Sequence, residues 1–442
     1  MKLFSLFAPK RMLTLALPAL ATLFAFGLTG LTAAQATSPG YLTAKTWIDP
    51  ATGHAAYGDG IHDDTQNLQD MINYVLNTSA SHQGEAIQLE PGTYKITKTL
   101  MIQNPPLGGY MGFRLSGMSG PNNDNTTYLN SGVTISLVTS DTTQLAVLEV
   151  GAGAIYDINI ENLGLDTSVN GQPNSIPIQY GLLFGGQQFS HAIVRNVSVN
   201  AVGTAFGIDG TTGGNGESVN IDDCLAWSVN CFYYNNCGQA LCHSITKSAA
   251  TINNGGSAIK VGVSGTGMGL DITSLSVSFV SGPLRNTLIE CNALPGSLNE
   301  TGGRVELCDT IIRYAGGSPA VIGHITLRGM DFDGCGINGT KYPAFGLMDD
   351  TLNGHNAQQY TNTIEQCRFN GSYGAPFPAL SLTTFSVSGD YSKNYFDRDT
   401  FTGYSNNLTD LTTDLGHLGA KVRDCRSATG AAGAFFHDIS YP

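Results

Sequence analysis

Several short, spaced apolar segments carry charged side chains that do not repeat from one segment to the next. Asp209, Lys260 and Glu290 stand in or beside three of these segments, where packing alone does not require a charge. Paired carboxyl groups hydrolyse glycosidic bonds when they lie about 5–5.5 Å or about 6.5–9.5 Å apart. We therefore predict that Asp209 and Glu290 are the catalytic carboxyl groups of a glycoside hydrolase, with Lys260 beside them.

Aromatic and polar residues near the same segments could hold a sugar. An aromatic face packs against a pyranose ring, while amide, imidazole and carboxylate groups hydrogen-bond its hydroxyls. The predicted substrate-binding residues are Tyr233, Asn235, His324 and Trp227.

Elimination is the alternative chemistry. A lyase would use Lys260, Tyr233 or His324 as the base, and a cation would neutralise the uronate carboxylate. The sequence has no Ca²⁺-loop motif, and its histidines show no metal-ligand spacing. We therefore predict no metal and no cofactor for a hydrolase, and Ca²⁺ only if the protein is a lyase.

The segments that must position these residues form a ladder. Similar residues recur at intervals of 22 to 37 residues, with further apolar columns three positions before and two positions after each. A chain that repeats such columns stacks successive coils on one another. The ladder residues are Leu163, Val197, Cys224, Ser248, Leu275, Cys308, Met330, Cys367, Thr400 and Cys425.

Two polar columns accompany the ladder. Two positions before it, charges mostly alternate in sign, which predicts surface ion pairs at the strand spacing of about 4.8 Å. This column contains Glu161, Arg195, Asp222, Thr246, Thr273, Glu306, Arg328, Glu365, Arg398 and Arg423. One position before it, a polar turn stack contains Asn162, Asn196, Asp223, Lys247, Ser274, Gln366, Asp399 and Asp424.

A second strand is predicted seven to fourteen residues after each ladder residue. Each of its segments opens on a small residue, which suits an inward position at a tight corner. The segments are Ala205–Asp209, Cys231–Asn235, Ala258–Gly262, Thr287–Cys291, Ala320–His324, Ala344–Met348, Ala379–Thr383 and Ala434–Asp438.

One stretch near the N-terminus has helical periodicity. Leu68, Met71, Ile72, Val75 and Leu76 form one apolar stripe, which predicts a helix over about residues 65–77. The preceding Asp63, with Gln66 three residues later, has the form of a capping box.

The segment before this helix, Gly-Asp-Gly-x-x-Asp-Asp-Thr at residues 58–65, and the Pro-Gly-Thr-Tyr turn at 91–94 carry a family resemblance. Together they resemble the N-terminal part of the pectate-lyase-like superfamily of right-handed parallel β-helix proteins. The resemblance implies an all-β fold, a single-stranded right-handed parallel β-helix of about ten coils, in which the helix caps the open end. Asp59, Asp63 and Asp64 are then turn and capping residues.

A weaker motif resembles the polygalacturonase family. Asp222 and Asp223 are followed by His243 and then by Ile259-Lys260, in the order that family uses. However, His243 is flanked by Cys and Ser instead of Gly, and Ala258 replaces an arginine. The ladder also assigns Asp222 and Asp223 to structural columns, which disfavours a catalytic role for them.

Composition limits the class of protein. The chain has 442 residues, a net charge of −13 and 55 glycines, and only 12% of its residues are charged. Residues 1–36 combine basic residues, an apolar run and Ala34-Gln35-Ala36, which predicts a secretory signal peptide before a domain at 37–442. A membrane anchor is the alternative, because the apolar run is just long enough to span a bilayer. The acidic balance excludes nucleic acid as the expected partner. Export would permit a disulfide among Cys231, Cys237 and Cys242.

These observations predict a secreted or periplasmic carbohydrate-active enzyme with a polysaccharide substrate. Hydrolysis is preferred; a polysaccharide lyase and a non-catalytic carbohydrate-binding or adhesive rod are the alternatives. No membrane contact is expected after signal removal, and the protein would be a monomer or a homotrimer.

Overall fold

The computed structural model describes residues 41–77, 86–103, 110–119, 132–151, 154–169, 172–173, 176–186, 188–209, 215–264, 268–293, 296–314, 323–335, 360–370, 394–402, 421–423 and 426–427. The predicted signal peptide lies outside these residues, as do Cys425 and the last three predicted second-strand segments. No helix in the described ranges is long and apolar enough to cross a membrane.

The described chain contains one helix, α1 (Thr65–Leu76), and many short strands. The strands are β1 (Tyr41–Thr43), β2 (Asp59–Asp63), β3 (Ala86–Leu89), β4 (Gly92–Ile96), β5 (Leu100–Ile102), β6 (Tyr110–Met111), β7 (Arg114–Gly117), β8 (Val133–Leu137), β9 (Ala146–Val150), β10 (Ala154–Tyr156), β11 (Asn159–Asp166), β12 (Ser168–Val169), β13 (Gln172–Pro173), β14 (Tyr180–Phe184), β15 (Gln188–Asn200), β16 (Thr204–Ile208), β17 (Asn215–Asp222), β18 (Leu225–Asn235), β19 (Gln239–Leu241), β20 (His243–Thr246), β21 (Ala249–Val261), β22 (Gly269–Phe279), β23 (Thr287–Cys291), β24 (Ser297–Glu306), β25 (Thr310–Tyr314), β26 (Gly323–Arg328), β27 (Asp331–Asp333), β28 (Tyr360–Glu365), β29 (Arg368–Asn370), β30 (Asn394–Asp397), β31 (Thr400–Thr402), β32 (Lys421–Arg423) and β33 (Arg426–Ser427).

Parallel pairing arranges most of these strands in three sheets. Sheet I runs through β1, β3, β7, β11, β15, β17, β20, β22, β24, β26, β28, β30 and β32. Sheet II runs through β2, β4, β8, the second halves of β11 and β15, the first halves of β18 and β21, the second halves of β22 and β24, and β27, β29, β31 and β33. Sheet III runs through β5, β9, β14, β16, the second halves of β18 and β21, β23 and β25.

Successive coils of the chain thus lie one above the next, and the fold is the predicted single-stranded right-handed parallel β-helix. Over the described residues, sheet I has thirteen strands. The ten from β11 to β32 correspond to the ten predicted ladder coils, and β1, β3 and β7 precede them. The apolar residues that point inward from the three sheets form one continuous core.

The predicted ladder is confirmed from Leu163 to Leu275. Leu163 pairs with Val197. Cys224 lies beside Ser248, and the Ser248 hydroxyl accepts a hydrogen bond from the backbone N–H of Cys224. The turns between sheets I and II use a left-handed residue, which Asn and Asp tolerate better than most side chains. These residues, with φ between 47° and 60°, are Asn162, Asn196, Asp223, Lys247 and Ser274.

The predicted register is wrong at the next coil. Leu275 pairs with Gly303, not with Cys308, which instead precedes a sheet III strand. The physical reason is that this coil breaks the apolar pattern at two places. Glu300 occupies the core position opposite Ile272, and Gly303 leaves no side chain at the ladder position.

A one-residue slip follows at β30 and β31. Thr400 pairs with Arg368, so the buried Asp399, not Thr400, lies beside Cys367. Oδ1 of Asp399 accepts a hydrogen bond from the backbone N–H of Cys367 at 2.8 Å. Asp397, not Arg398, therefore continues the charged column of sheet I.

The ion pairs predicted for that column are present. Arg195 lies 3.3 Å from Asp222, and Arg328 pairs with Glu365. One nitrogen of Arg423 lies 2.6 Å from Asp397. The column is a set of surface ion pairs between neighbouring coils, so each pair is worth at most about 1 kcal/mol.

Helix α1 begins at the predicted residue and buries the predicted stripe. The predicted capping box is wrong, because the N-cap is Asp64 and no side chain caps the helix. Asp64 instead accepts the backbone N–H groups of Tyr57 and Gly58 at 2.6 and 3.0 Å. Asp59 accepts the N–H groups of the turn that follows it. Both acids therefore hold the loop that precedes the helix.

Cysteines contribute to the core without covalent links. Cys224 and Cys367 are buried in the coil, where thiols pack as small apolar groups. The disulfide that export would permit among Cys231, Cys237 and Cys242 is not formed, since all three are free thiols.

Candidate functional site

Four side chains on successive strands of sheet III form a row on its outer face. Tyr234, Lys260, Glu290 and Arg313 are register partners on β18, β21, β23 and β25. We call these four residues the charged column. Because adjacent strands lie about 4.8 Å apart, each side chain can reach the next. The column therefore joins an aromatic ring to two cations and the carboxylate between them.

Glu290 is the electrostatic centre of the charged column. Lys260 Nζ lies 3.0 Å from its Oε1, Arg313 Nη1 lies 3.6 Å from its Oε2, and the Ser257 hydroxyl donates to Oε2 at 2.8 Å. Burial opposes ionisation of the carboxyl group, but Lys260, Ser257 and Arg313 together outweigh it and lower the pKa of Glu290. Glu290 is thus a fixed anion at neutral pH.

The charged column remains accessible although its carboxylate is not. The side chains of Lys260 and Arg313 are 37% and 30% exposed, whereas that of Glu290 is 11% exposed. A ligand on this face would meet the two cations and the ring of Tyr234 before it met Glu290.

At the aromatic end of the charged column, a glycine leaves room for the tyrosine rings. Tyr234 stacks on Tyr180, with ring centroids 6.4 Å apart, and Tyr180 lies on Gly207, where a Cβ would approach the ring to 2.4 Å. Burial, and then the charge of Asp209, raises the pKa of Tyr234 to about 12. The phenol is therefore a hydrogen-bond donor and not a base at neutral pH.

Asp209 lies at this aromatic end, away from Glu290. It accepts the Tyr180 hydroxyl at 3.2 Å and the Asn236 amide at 3.0 Å. Three strand spacings separate β16 from β23, so the two carboxylates are roughly 14 Å apart along the coil axis. This separation is too large for the paired-carboxyl geometry of hydrolysis, which needs about 5–9.5 Å.

Two predicted substrate contacts point into the coil and not onto its surface. Tyr233 and Asn235 are completely buried, and Tyr234 is the tyrosine that faces outward. Oδ1 of the Asn235 side chain accepts a hydrogen bond from the backbone N–H of Cys237 at 3.2 Å. The prediction for these two residues was wrong because a shift of one residue moves every side chain of a strand to its other face.

His324 belongs to a different sheet. It lies on β26, which pairs with β24 and β28 in sheet I, so His324 is not on the predicted second strand. Residues 320–322 of that predicted segment lie outside the described residues. Its Nε2 lies 2.7 Å from the hydroxyl of Thr326. The structure therefore does not bring His324 to the charged column.

The polygalacturonase-like residues do not converge either. Asp222 is bonded by Arg195 and by the hydroxyl of Thr246, while Asp223 forms the left-handed turn. His243 is buried inside the coil. The predicted structural roles of Asp222, in the charged column of sheet I, and of Asp223, in the polar turn, are confirmed.

Trp227 faces outward, as predicted, but on sheet II. It is half-buried and lines a cleft that also contains Arg304 and Glu306. The sequence interpretation missed Arg304 and Arg313. Arg313 could have been found, because it stands three residues after Thr310, just as Lys260 stands three residues after Ser257. It was missed because the ladder was placed in the wrong register at this coil.

No group of three or more His, Cys, Asp or Glu side chains within the described ranges is arranged to hold a metal ion. The charged column could hold the carboxylate or hydroxyl groups of a ligand through Lys260 and Arg313 directly.

Comparisons with known proteins yield similar solved structures only. No family model and no curated protein matches the chain. A surface adhesin of Streptococcus pneumoniae is 12% identical, over 84% of this chain and 88% of that one, with a TM-score of 0.46. A tailspike protein mutant of E. coli bacteriophage HK620, in complex with a pentasaccharide, is 12% identical over 88% and 78%, with a TM-score of 0.41. Identities of 12% with TM-scores below 0.5 do not support an inference about function.

Proposed function

We propose that the protein is an exported carbohydrate-binding β-helix whose charged column contacts a polysaccharide. The observation that carries the proposal is the continuity of Tyr234, Lys260 and Arg313 on one accessible face. An aromatic ring can pack against a sugar ring, and the two cations can donate to hydroxyl or carboxylate oxygens on the next sugars.

Binding fits this face better than either cleavage reaction. Hydrolysis at the column would need a second carboxyl group near Glu290, and Asp209 is three strands away. Elimination would need a neutral or deprotonated base. Lys260 forms an ion pair with Glu290, and the raised pKa of Tyr234 keeps its phenol protonated. A lyase of this kind would also be expected to take Ca²⁺.

We further propose the family, export and assembly that the sequence indicates. The chain would belong to the pectate-lyase-like superfamily, which the motif at residues 58–65 resembles. Residues 1–36 would be removed on export to the periplasm or the medium, and the mature rod would act as a monomer or a homotrimer.

A glycan array of neutral and acidic polysaccharide fragments tests the proposal. The purified 37–442 chain should bind one class of fragment, and Arg313→Ala should weaken that binding at least tenfold. Arg114→Ala, which removes an exposed arginine elsewhere, should leave it unchanged. Absence of any bound glycan would refute the proposal. Assays for new reducing ends and for unsaturated uronate absorbance, run in parallel, would reveal hydrolysis or elimination.

A further inference from the structure

A cleft with a volume of about 330 Å³ opens on the outer face of sheet II, away from the charged column. Its size is within the range of sites that bind small molecules, about 300–1,000 Å³. Its lining comes from four successive strands, namely β18, β21, β22 and β24. The lining residues are Leu225, Ala226, Trp227, Ala249, Ala250, Thr251, Ser276, Val277, Ser278, Arg304 and Glu306.

The cleft exists because small outward side chains lie between large ones. Ala226 and its register partner Ala250 face inward, so Trp227, next to Ala226, faces outward. The outward side chains on the next two strands are small. Arg304 and Glu306 then stand opposite Ser276 and Ser278. The large side chains form two walls, and Ala249, Thr251, Ser276 and Ser278 form the floor between them. The walls are three strand spacings apart, roughly 14 Å.

The lining has the chemistry of a sugar site. Trp227 offers a half-buried aromatic face, with Leu225 and Ala249 as apolar neighbours. The hydroxyls of Thr251, Ser276 and Ser278 make no side-chain hydrogen bond to any other described residue, so they are available to a ligand. A sugar ring presents an apolar face and a rim of hydroxyls, which these two kinds of group match.

The polar wall favours a ligand without net charge. Arg304 Nη2 lies 2.9 Å from Glu306 Oε1 and 2.6 Å from Asp333 Oδ2. The two carboxylates offset the charge of the guanidinium, so an acidic ligand would gain little from it. Arg304 can donate to a hydroxyl through Nε and Nη1, which have no partner within the described part of the chain, and Glu306 can accept from one.

We propose that this cleft binds a neutral oligosaccharide, with one sugar ring stacked on Trp227 and the hydroxyls of another bonded to Arg304 and Glu306. The inference rests on the proposed function for its class of ligand, but not for its site, which is on another sheet. The protein would then hold glycans at two separate faces.

Tryptophan fluorescence reports directly on the cleft, because the chain has two tryptophans. Trp47 packs against the core and Tyr74, and Trp47→Phe leaves Trp227 as the fluorophore. Neutral tetrasaccharides of glucose, mannose and N-acetylglucosamine would be titrated into this variant. We expect one series to shift the emission to shorter wavelength and to saturate, while Trp227→Phe shows no shift. No saturable shift with any series, or equal shifts in both variants, would overturn the inference.

A second comparison separates the cleft from the charged column. Arg304→Ala should weaken binding of the same tetrasaccharide at least tenfold, whereas Arg195→Ala should not; their side chains are similarly exposed, 53% and 52%. Lys260→Ala is the comparison variant for the charged column. Loss in Lys260→Ala with no loss in Arg304→Ala or Trp227→Ala would overturn the cleft and retain the column, and the reverse result would retain the cleft alone.

Discussion

The phenolic oxygen of Tyr233 lies 2.6 Å from Nδ1 of His243, and both side chains are buried inside the coil. Nε2 of the imidazole lies 3.1 Å from the carbonyl oxygen of Gly216. Nε2 therefore carries the proton and donates to Gly216, while Nδ1 accepts from Tyr233. This pair connects sheet III to sheet I through the core, where burial keeps the imidazole neutral.

The Tyr233–His243 pair predicts that acid destabilises the protein. Burial lowers the pKa of His243 from 6.5 to about 4, so the folded state binds its proton less tightly than the unfolded chain does. The stability that this group contributes is present above pH 6.5 and is lost as the pH falls towards 4. We expect a loss of about 3 kcal/mol across this window from this one group, measured by denaturant unfolding at pH 7 and pH 4.

Two variants test the assignment to His243. His243→Leu should reduce the pH dependence by that amount, while His191→Ala, which removes an exposed histidine, should retain it. The same pH dependence in the wild type and in His243→Leu would contradict the prediction.

Glu300 should destabilise the protein as the pH rises, whereas His243 destabilises it as the pH falls. It lies between Ile272 and Leu327 in the core, and neither carboxyl oxygen has a hydrogen-bond partner among the described residues. Burial raises its pKa from 4.5 to about 8. The folded state therefore binds the proton more tightly, and stability falls as the pH rises from 4.5 through 8.

Glu300→Gln removes this titration with little change of shape. We expect the variant to gain about 3 kcal/mol over the wild type at pH 7, relative to their difference at pH 4.5. Thermal midpoints measured at both pH values give the comparison, with the surface variant Glu161→Gln as the control. A Glu300→Gln effect that does not change with pH would show that the carboxyl group is not held protonated.

Cys242 should be the fast-reacting thiol of the described cysteines. It is exposed, whereas burial raises the pKa of both Cys224 and Cys231 to about 12 and removes them from solvent. Cys242→Ser should therefore abolish one equivalent of rapid labelling by a thiol reagent in the native protein. Cys231→Ser should not change the rapid phase. Equal loss in both variants would contradict the free, buried state of Cys231.

The fold was predictable because stacking repeats apolar residues. Leu163 and Val197 pair as the ladder predicts, and the left-handed turn selects residues such as Asn162 and Asn196, which pattern reasoning can find. The register failed where the core itself is atypical. Glu300 replaces an apolar residue, so a search for apolar columns took Val305 and Cys308, which lie further along the same coil.

The candidate site was predictable only in part. Lys260 and Glu290 were found because charges are rare in these strands, and they do form a pair. The choice between Tyr233 and Tyr234 depended on which alternate residue faces out, and Phe232 beside them is buried too, so the sequence shows no alternation there. Asp209 was wrongly paired with Glu290, since their predicted segments, Ala205–Asp209 and Thr287–Cys291, are already three coils apart in the sequence.

The most direct test of the central claim is the affinity of the charged column for its glycan. Calorimetric titration would compare the wild type, Lys260→Ala and Lys98→Ala with the polysaccharide fragment that the array identifies. Both lysines are solvent-accessible, but only Lys260 belongs to the column. The account predicts an affinity loss of at least tenfold, about 1.4 kcal/mol, for Lys260→Ala and none for Lys98→Ala. Equal affinity in all three proteins would contradict it.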